Sequence, residues 1–360
     1  MRHTALLVTL SLVATACSSA VSSPPPATSP APASTATASA SPLLAVAAPA
    51  PICPHLKPPT WATSHPSDGI PDPAGRIVFG PVYQGDEILG QLISPLFAID
   101  ADGSDLVQIF DCEIERPRIS PDGRRIAFSL AMDDGSWQVA TIAADGNDLR
   151  ILTSSTGYAQ TPDWSPDGSW LIYAASPVKC SRDPLCDSLN ETLWRVNMDG
   201  SDQRQVGGTV PTAWDSEPRL SPDGREVVFA RNTPAGDYRW ILMIRNLETG
   251  QERVAKVDTR DLEHPDWSRD GRFIVYHASP NGPIERIPAD DPTATPEVLA
   301  GDANHGFYKP AFSPDGRSLV FGCDGKVCTM GPDGKVVVLV DAPGIELNHF
   351  AWGVSPTAEP

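Results

Sequence analysis

Short apolar runs alternate with polar turns along most of this chain, and one polar turn recurs. Ser-Pro-Asp-Gly is present four times, and a fifth copy at 268–271 has arginine in place of proline. Proline presets φ at the second turn position, aspartate suits the third, and glycine accepts the positive φ that closes a tight turn. Each copy therefore predicts a β-hairpin. The identical copies begin at Ser120, Ser165, Ser221 and Ser313.

The segments around each turn read as strands. An apolar residue precedes each serine, and a run rich in β-branched and aromatic residues follows, such as Arg125–Phe128. The turns recur about every 45 to 56 residues, which is the period of a four-stranded propeller blade. The β-branched and aromatic content excludes a helical solenoid. A proline also lies three residues before each serine: Pro117, Pro162, Pro218, Pro265 and Pro310.

The full repeat, Pro-x-Trp-Ser-Pro-Asp-Gly followed by a strand ending in Phe or Tyr, resembles that of TolB-like, WD-repeat-like β-propellers. The resemblance covers about Gly75 to Trp352. Arg76–Phe79 matches the second half of a repeat, and Phe350–Trp352 matches the first half. The predicted fold is all-β, a six-bladed β-propeller whose C-terminal strand completes the first blade and closes the ring.

A second kind of turn, built on Asp-Gly or Thr-Gly, predicts an outer hairpin in most blades. Asp-x-Asp-Gly also begins like a calcium loop, but no glutamate follows at the twelfth position, so a plain turn is favoured. In the fifth blade, 290–296 replaces the glycine turn. The predicted outer turns are 100–105, 144–148, 198–202, 248–251 and 332–335.

The N-terminal region predicts export. Residues 1–16 have a basic start and an apolar run too short for a permanent membrane span, as in a signal peptide. Residues 13–17 resemble a bacterial lipobox in which Cys17 is lipidated, although Ala14 stands where leucine is usual; a cleaved signal with a spare cysteine is the alternative. Residues 17–59, rich in Ser, Pro, Ala and Thr, predict a disordered stalk. The propeller is placed at 60–355, followed by a tail at 356–360.

The charge balance narrows the class of partner. The chain has 45 acidic and 27 basic residues, a formal net charge of -18, which argues against a broad nucleic-acid surface. Anionic membranes are also poor electrostatic partners, so membrane attachment is left to the N-terminal lipid. We expect a monomer at the cell envelope, anchored to the outer face of the cytoplasmic membrane or else secreted.

Six cysteines remain besides Cys17, and an even number in an exported chain favours disulfides. Two pairs lie close in sequence, 180 with 186 and 323 with 328, and are predicted to form local bridges. By elimination the third pair would join the end of the stalk to the first blade. Zinc is the alternative, but no Cys-x-x-Cys is present. The predicted bridges are Cys53–Cys112, Cys180–Cys186 and Cys323–Cys328.

The repeat register indicates where a ligand would bind. The residues just before the repeat prolines, with the equivalent residue of the closing strand, are predicted to form a ring at the entry to the innermost strands. A second ring lies one residue earlier, and Trp214 lies near it. The alternative is a set of solvated loop ends with incidental ion pairs, such as Glu217 with His264. The first ring is Arg116, Thr161, Glu217, His264, Lys309 and His349; the second is Glu115, Gln160, Ser216, Glu263, Tyr308 and Asn348.

The chain has no Gly-x-Ser-x-Gly, phosphate loop or dinucleotide fingerprint. We therefore predict a non-enzymatic binding protein without a cofactor, whose ligand is an envelope protein or an extracellular peptide or carbohydrate. The alternative is a metal-dependent polysaccharide lyase, because propellers with this repeat are similar to oligogalacturonate lyases, which bind a divalent metal with several histidines. That resemblance implies a metal site made from His264, His305, His349 and Glu217.

Overall fold

The computed structural model describes the propeller region with several gaps. The predicted signal peptide, Cys17, the predicted tail, Cys180, Cys186 and His305 lie outside the described residues. The regular elements within the described part are all β-strands, and no helix there is long and apolar enough to cross a membrane. The described residues are 49–53, 63–64, 75–82, 94–176, 191–207, 213–232, 239–279, 282–301, 306–342 and 346–355.

The strands are mostly four to seven residues long and follow one another through short turns. In chain order they are β1 (Thr63–Ser64), β2 (Arg76–Val82), β3 (Leu96–Asp100), β4 (Val107–Phe110), β5 (Ile114–Ile119), β6 (Arg125–Ala131), β7 (Trp137–Ala143), β8 (Arg150–Ile151), β9 (Tyr158–Trp164), β10 (Trp170–Ser176), β11 (Thr192–Asn197), β12 (Arg204–Gln205), β13 (Trp214–Leu220), β14 (Glu226–Asn232), β15 (Trp240–Asn246), β16 (Glu252–Lys256), β17 (Asp261–Trp267), β18 (Phe273–Ser279), β19 (Ile284–Pro288), β20 (Glu297–Ala300), β21 (Phe307–Phe312), β22 (Leu319–Cys323), β23 (Lys326–Met330), β24 (Val336–Asp341) and β25 (Glu346–Gly353).

Consecutive strands pair antiparallel in four-stranded units, as in propeller blades. Strands β13–β16 and β17–β20 form separate sheets, and β21–β24 form a third with β1 added at the outer edge. Strands β5–β12 form one sheet, in which a single parallel pair, Trp137 with Tyr158, joins two antiparallel halves. The predicted all-β propeller fold is confirmed.

The two ends of the repeat region meet in one sheet. Strand β25 pairs antiparallel with β2, which places Trp352 opposite Ile77, so the predicted role of the C-terminal strand is confirmed. The inner strands contact one another in the order β25, β5, β9, β13, β17 and β21, and β21 contacts β25. Gly353 allows the close approach of β25 to β5, since a Cβ there would lie 2.4 Å from the Cβ of Ile119.

The recurring Ser-Pro-Asp-Gly turn joins each inner strand to the next strand of its sheet. In the first copy the Ser120 hydroxyl donates to Asp122 Oδ1 (2.5 Å) and accepts from the Arg125 N–H (2.9 Å). The carboxylate also accepts from the Arg124 N–H (3.0 Å). Gly123 has φ 74°, which explains the glycine. The serine and aspartate make the same bonds in the other four copies.

The outer hairpins also lie where they were predicted. The Asp-Gly and Thr-Gly units connect β3 to β4, β7 to β8, β11 to β12, β15 to β16 and β23 to β24. Asp102 Oδ1 accepts a hydrogen bond from the Ser104 N–H (2.8 Å). Asp145 and Asp199 accept equivalent bonds at 3.0 and 2.9 Å. These carboxylates therefore bind their own backbone, as the plain-turn reading expects.

The hydrophobic core lies between neighbouring sheets. Val228 and Leu242 of one sheet pack with Trp267 and Tyr276 of the next. The repeat tryptophans add hydrogen bonds between inner strands, because the indole N–H of Trp164 on β9 donates to the carbonyl of Arg118 on β5 at 2.9 Å. Trp267 makes the same bond to Arg219 at 3.0 Å. Trp164 and Trp267 are each 7% exposed, so these tryptophans pack against the neighbouring inner strands.

Two of the predicted disulfides fall within the described residues and are confirmed. Cys53 is bonded to Cys112, between β4 and β5, and the adjacent Ile52 also hydrogen-bonds the backbone of Ala131 and Glu113. The segment around Cys53 is therefore attached to β5 and β6 as well as through the predicted disulfide. Cys323 is bonded to Cys328 across the hairpin that joins β22 to β23.

Candidate functional site

The residues of the predicted first ring share one unusual backbone conformation. Each lies at a shift in strand register, where the inner strand has a bulge. Positive φ is uncommon for residues other than glycine, and a bulge redirects a side chain. Their φ angles are 54° for Arg116 and Thr161, 55° for Glu217 and His264, 52° for Lys309, and 57° for His349.

These residues lie within the inner strands, at the third or fourth position, and not at the strand entry as the sequence suggested. The interpretation as solvated loop ends is wrong for Glu217 and His349, which are 6% and 7% exposed. Four members, Arg116, His264, Lys309 and His349, line one pocket. Glu217 is not part of the pocket lining, but its carboxylate contacts two of these residues, Arg116 and His264.

Thr161 stays apart from the other ring members. Its N–H donates to the hydroxyl of Ser129 on β6, at 3.0 Å. Its own hydroxyl is buried and forms no hydrogen bond within the described part of the chain. A β-branched residue at φ 54° is a backbone outlier, and such strain is common at functional sites.

Glu217 connects three inner strands. Its carboxylate accepts hydrogen bonds from Nη1 of Arg116 on β5, from Nδ1 of His264 on β17 at 2.5 Å, and from the His264 backbone N–H at 2.6 Å. Burial opposes its ionisation, yet the hydrogen bonds from His264 and the charge of Arg116 hold the pKa of Glu217 well below its usual value. Glu217 is therefore an anion at neutral pH.

His264 is neutral in this arrangement. Burial lowers its pKa to about 3, against the attraction of Glu217. Because Nδ1 lies 2.5 Å from a carboxylate oxygen, that nitrogen carries the ring proton and donates it to the hydrogen bond. The contact is thus a hydrogen bond from a neutral imidazole, while Arg116 supplies the charge that balances Glu217.

Lys309 and His349 face the same pocket without such partners. Lys309 forms no hydrogen bond or ion pair within the described residues, and burial, assisted by the charge of Arg116, lowers its pKa to about 7. Nδ1 of His349 is buried and unpaired. Burial, together with Lys309 and Arg116, holds the pKa of His349 well below its usual value.

Most residues of the second predicted ring form hydrogen bonds with other parts of the inner strands or their connections. Gln160 and Ser216 hydrogen-bond Glu191, whose pKa is raised to about 7 by burial. The Tyr308 hydroxyl donates to the Leu347 carbonyl at 3.0 Å. Burial and the charge of Glu217 raise the pKa of Glu263 to about 7. Glu115 is half-buried, and Asn348 Oδ1 accepts from the His349 N–H at 2.9 Å.

Two further residues of this region, Glu191 and His277, were not predicted from the sequence. His277 lies opposite Glu263, its ring centroid is 6.3 Å from that of His264, and its Nδ1 is buried and unpaired. The sequence did contain a signal for His277. The equivalent position opposite the other five inner strands holds only small residues. Those residues are Gly80, Ser129, Ala174, Ala230 and Gly322.

Trp214 is the first residue of β13, three positions before Glu217, where it pairs with Asn232 and is half-buried. The alternative metal site, which would use His264, His349 and Glu217, fits the structure poorly. The Glu217 carboxylate is already engaged by Arg116 and His264. No group of three or more His, Cys, Asp or Glu suited to a metal occurs among the described residues; His305 lies outside them.

Antiparallel sheets whose inner strands contact one another in a closed ring define the class of β-propellers. Within that class, this chain belongs to the TolB β-propeller domain family, whose model matches residues 95–295, more than half of the chain. The fold is similar to that of TolB from Acinetobacter baumannii, with a TM-score of 0.64, 19% identity, and coverage of 79% of this chain and 68% of the other. Hydrazine synthase of Kuenenia stuttgartiensis has a TM-score of 0.63, 16% identity, and coverage of 81% and 48%. At these identities the likeness concerns the fold alone.

Two curated relatives are uncharacterised. A protein of Agrobacterium fabrum is 26% identical over 167 residues, which cover 44% of this chain and 52% of the relative. The uncharacterised peptidase YuxL of Bacillus subtilis is 27% identical over 222 residues, which cover 50% and 31%. The chain thus spans about half or less of these relatives, and neither supplies an activity that can be transferred to it.

Proposed function

We propose that this chain is an exported binding protein of the cell envelope, without enzymatic activity, whose ligand docks at the polar rim made by the bulged inner strands. One observation carries the proposal. Equivalent bulges bring arginine, glutamate, lysine and histidine side chains into one region, whereas the turn positions of the repeat keep the same serine and glycine. Varied side chains on a constant backbone suit recognition better than packing.

The proposal includes a finer architecture. The sheets form six blades, with the two halves of the β5–β12 sheet as separate blades; the cyclic contacts of the inner strands support this count. The propeller extends over 60–355, behind a signal peptide at 1–16 and a stalk at 17–59, and ahead of a tail at 356–360. Cys17 carries the lipid that attaches the protein to the membrane.

Export is supported by the bonds Cys53–Cys112 and Cys323–Cys328, because disulfides persist in oxidising compartments outside the cytoplasm. The protein acts as a monomer. Its net charge of -18 leaves nucleic acid out of the proposed partners, and an envelope protein or an extracellular peptide or carbohydrate fits the polar rim.

Site-specific photo-crosslinking in cells that make the protein tests this proposal. A benzophenone side chain would replace Glu115 at the rim in one variant, and exposed Val254 on the outer strand β16 in the control. We expect a discrete crosslinked species from position 115 and none from position 254. Equal adducts at both positions, or none at position 115, would contradict a ligand-binding rim.

A further inference from the structure

The pocket that the ring residues share has a charged lining that is entirely basic. The described residues that line it are Arg116, Pro117, Arg118, Arg219, His264, Lys309, Pro310, His349 and Phe350. Arg118 and Arg219 follow the bulge positions by two residues, so neither belongs to the predicted rings. A basic pocket in a chain of net charge -18 calls for a specific explanation.

The two arginines carry unpaired donors. Arg219 is 4% exposed, its Nη1 donates to the carbonyl of Pro218 at 2.6 Å, and its Nε is buried without a partner. Arg118 donates from Nη1 to the carbonyl of Phe350 at 3.1 Å, and its Nε is likewise unpaired. A buried charged donor left without an acceptor is costly, so an acceptor arriving here would be bound strongly.

The neighbouring carboxylates attract the two arginines only at longer range, because their hydrogen bonds go to other groups. Asp163 accepts the N–H of Leu220 at 2.8 Å, and Asp266 accepts that of Phe312 at the same distance. Both bonds join one sheet to the next. Glu217 is engaged by Arg116 and His264. Among the described residues, none of these carboxylates forms an ion pair with Arg118 or Arg219.

The remaining polar groups of the pocket are also available to a ligand. Lys309 has no partner within the described part of the chain, and Nδ1 of His349, a residue 7% exposed, is buried and unpaired. Two guanidinium groups, one ammonium group and one imidazole therefore converge on a single small space. Planar guanidinium groups match the two oxygens of a carboxylate.

We propose that this pocket binds a carboxylate group of a peptide ligand, with Arg118, Arg219 and Lys309 as the donors. The inference rests on the proposed binding function, since it names the chemistry that the rim admits. Pro117, Pro310 and Phe350 form the apolar part of the wall. This surface suits a peptide chain better than the hydroxyl-rich edge of a sugar, which would need polar partners.

The test compares small ligands that differ only in the carboxylate. Binding to the purified full chain would be measured by calorimetry at pH 6, where Lys309 is protonated. N-acetylglycine represents a chain end and N-acetylaspartate diamide represents a side chain; N-acetylglycinamide is the neutral control. We expect one or both carboxylates to bind and the amide not to bind. Tighter binding of galacturonate would overturn the peptide assignment, and binding of sulfate alone would overturn the carboxylate assignment.

Lys309→Met tests the donor set cleanly, because this lysine has no described partner to lose. Removal of one charged hydrogen bond should weaken carboxylate binding about tenfold or more. The matched control is Lys335→Met on the exposed turn between β23 and β24, which should leave binding unchanged. Equal weakening in both variants would indicate a general charge effect and overturn the site.

The two proposals fail separately. A crosslinked partner at position 115 together with no carboxylate binding would leave the rim function standing and overturn the carboxylate pocket. Carboxylate binding that Lys309→Met abolishes, with no crosslinked species at position 115, would support the pocket and overturn the larger rim.

Discussion

At the scale of single residues, Glu217 stands out because one buried carboxylate connects strands that are far apart in sequence. Its partners are Arg116, 101 positions earlier, and His264, 47 positions later. A buried charge pair contributes little net stability, but losing one partner is expensive because the other charge remains buried. Glu217 therefore makes the rim one coupled unit.

Glu217→Gln should destabilise the protein strongly, because it leaves the Arg116 charge without a counter-ion. We expect the free energy of unfolding, measured by urea titration, to fall by about 3 to 5 kcal/mol. The matched control is Glu226→Gln, which removes a more exposed pair with Arg253 and should cost about 0 to 1 kcal/mol. Equal losses in the two variants would contradict the buried pair.

Because His277 is buried, we expect the stability of the protein to depend on pH. Burial lowers its pKa to about 4, against Glu217 and with Lys309. Between pH 6.5 and 4, His277 is protonated in the unfolded chain but stays neutral in the folded protein. Stability present above pH 6.5 is therefore lost as the pH falls towards 4, by about 1.4 kcal/mol per pH unit.

His277→Gln should reduce that pH slope by the contribution of one group, while it loses no hydrogen bond from the unpaired Nδ1. Urea unfolding at several pH values between 6.5 and 4 measures the slope. The wild-type slope persisting in the variant would show that His277 ionises as freely in the folded protein as in the unfolded chain.

At the scale of elements, each hairpin depends on a serine that is buried in the turn. Ser165 is 1% exposed; its hydroxyl donates to Asp167 at 2.6 Å and accepts the Trp170 N–H at 3.0 Å. The turn is thus closed by side-chain bonds as well as by the glycine. Because these bonds are local, the sequence motif alone could predict them.

Ser165→Ala should lower the free energy of unfolding by about 1 to 2 kcal/mol, because the Trp170 N–H and the Asp167 carboxylate lose a partner. Ser169→Ala in the same turn is the control. Its hydroxyl also bonds Asp167, at 2.8 Å, but the residue is exposed, so its loss should stay within about 0.5 kcal/mol. A reversed order of the two losses would refute this account of the turn.

At the scale of the whole molecule, stability depends on the contact between β25 and β5, where the two ends of the repeat region meet. Gly353→Ala would place a methyl group 2.4 Å from the Cβ of Ile119. We expect a loss of about 1 to 3 kcal/mol on thermal or chemical unfolding, the usual cost of overpacking.

Gly306→Ala is the matched control, because a Cβ at that glycine meets nothing within 4 Å. Its unfolding transition should lie within experimental error of wild type. If Gly353→Ala also unfolds like wild type, β25 can shift away from β5 without cost, and the close approach has no role in joining the ends.

The sequence by itself determined the hairpins, the outer turns, the pairing of β25 with β2, and two disulfides. It did so because turn chemistry is local and the repeat register transfers it from one sheet to the next. The same register located the bulge residues, although it misplaced them at the strand entry and could not show their positive φ.

Only the tertiary structure decided which rim residues meet. The contact of Glu217 with Arg116, the separation of Thr161, and the placement of Glu191 and His277 all depend on packing between different sheets. Charge states followed the same rule, since burial sets the pKa of Lys309. The physical reason is that a repeat encodes one sheet at a time, whereas a pocket between inner strands exists only once the sheets are arranged around it.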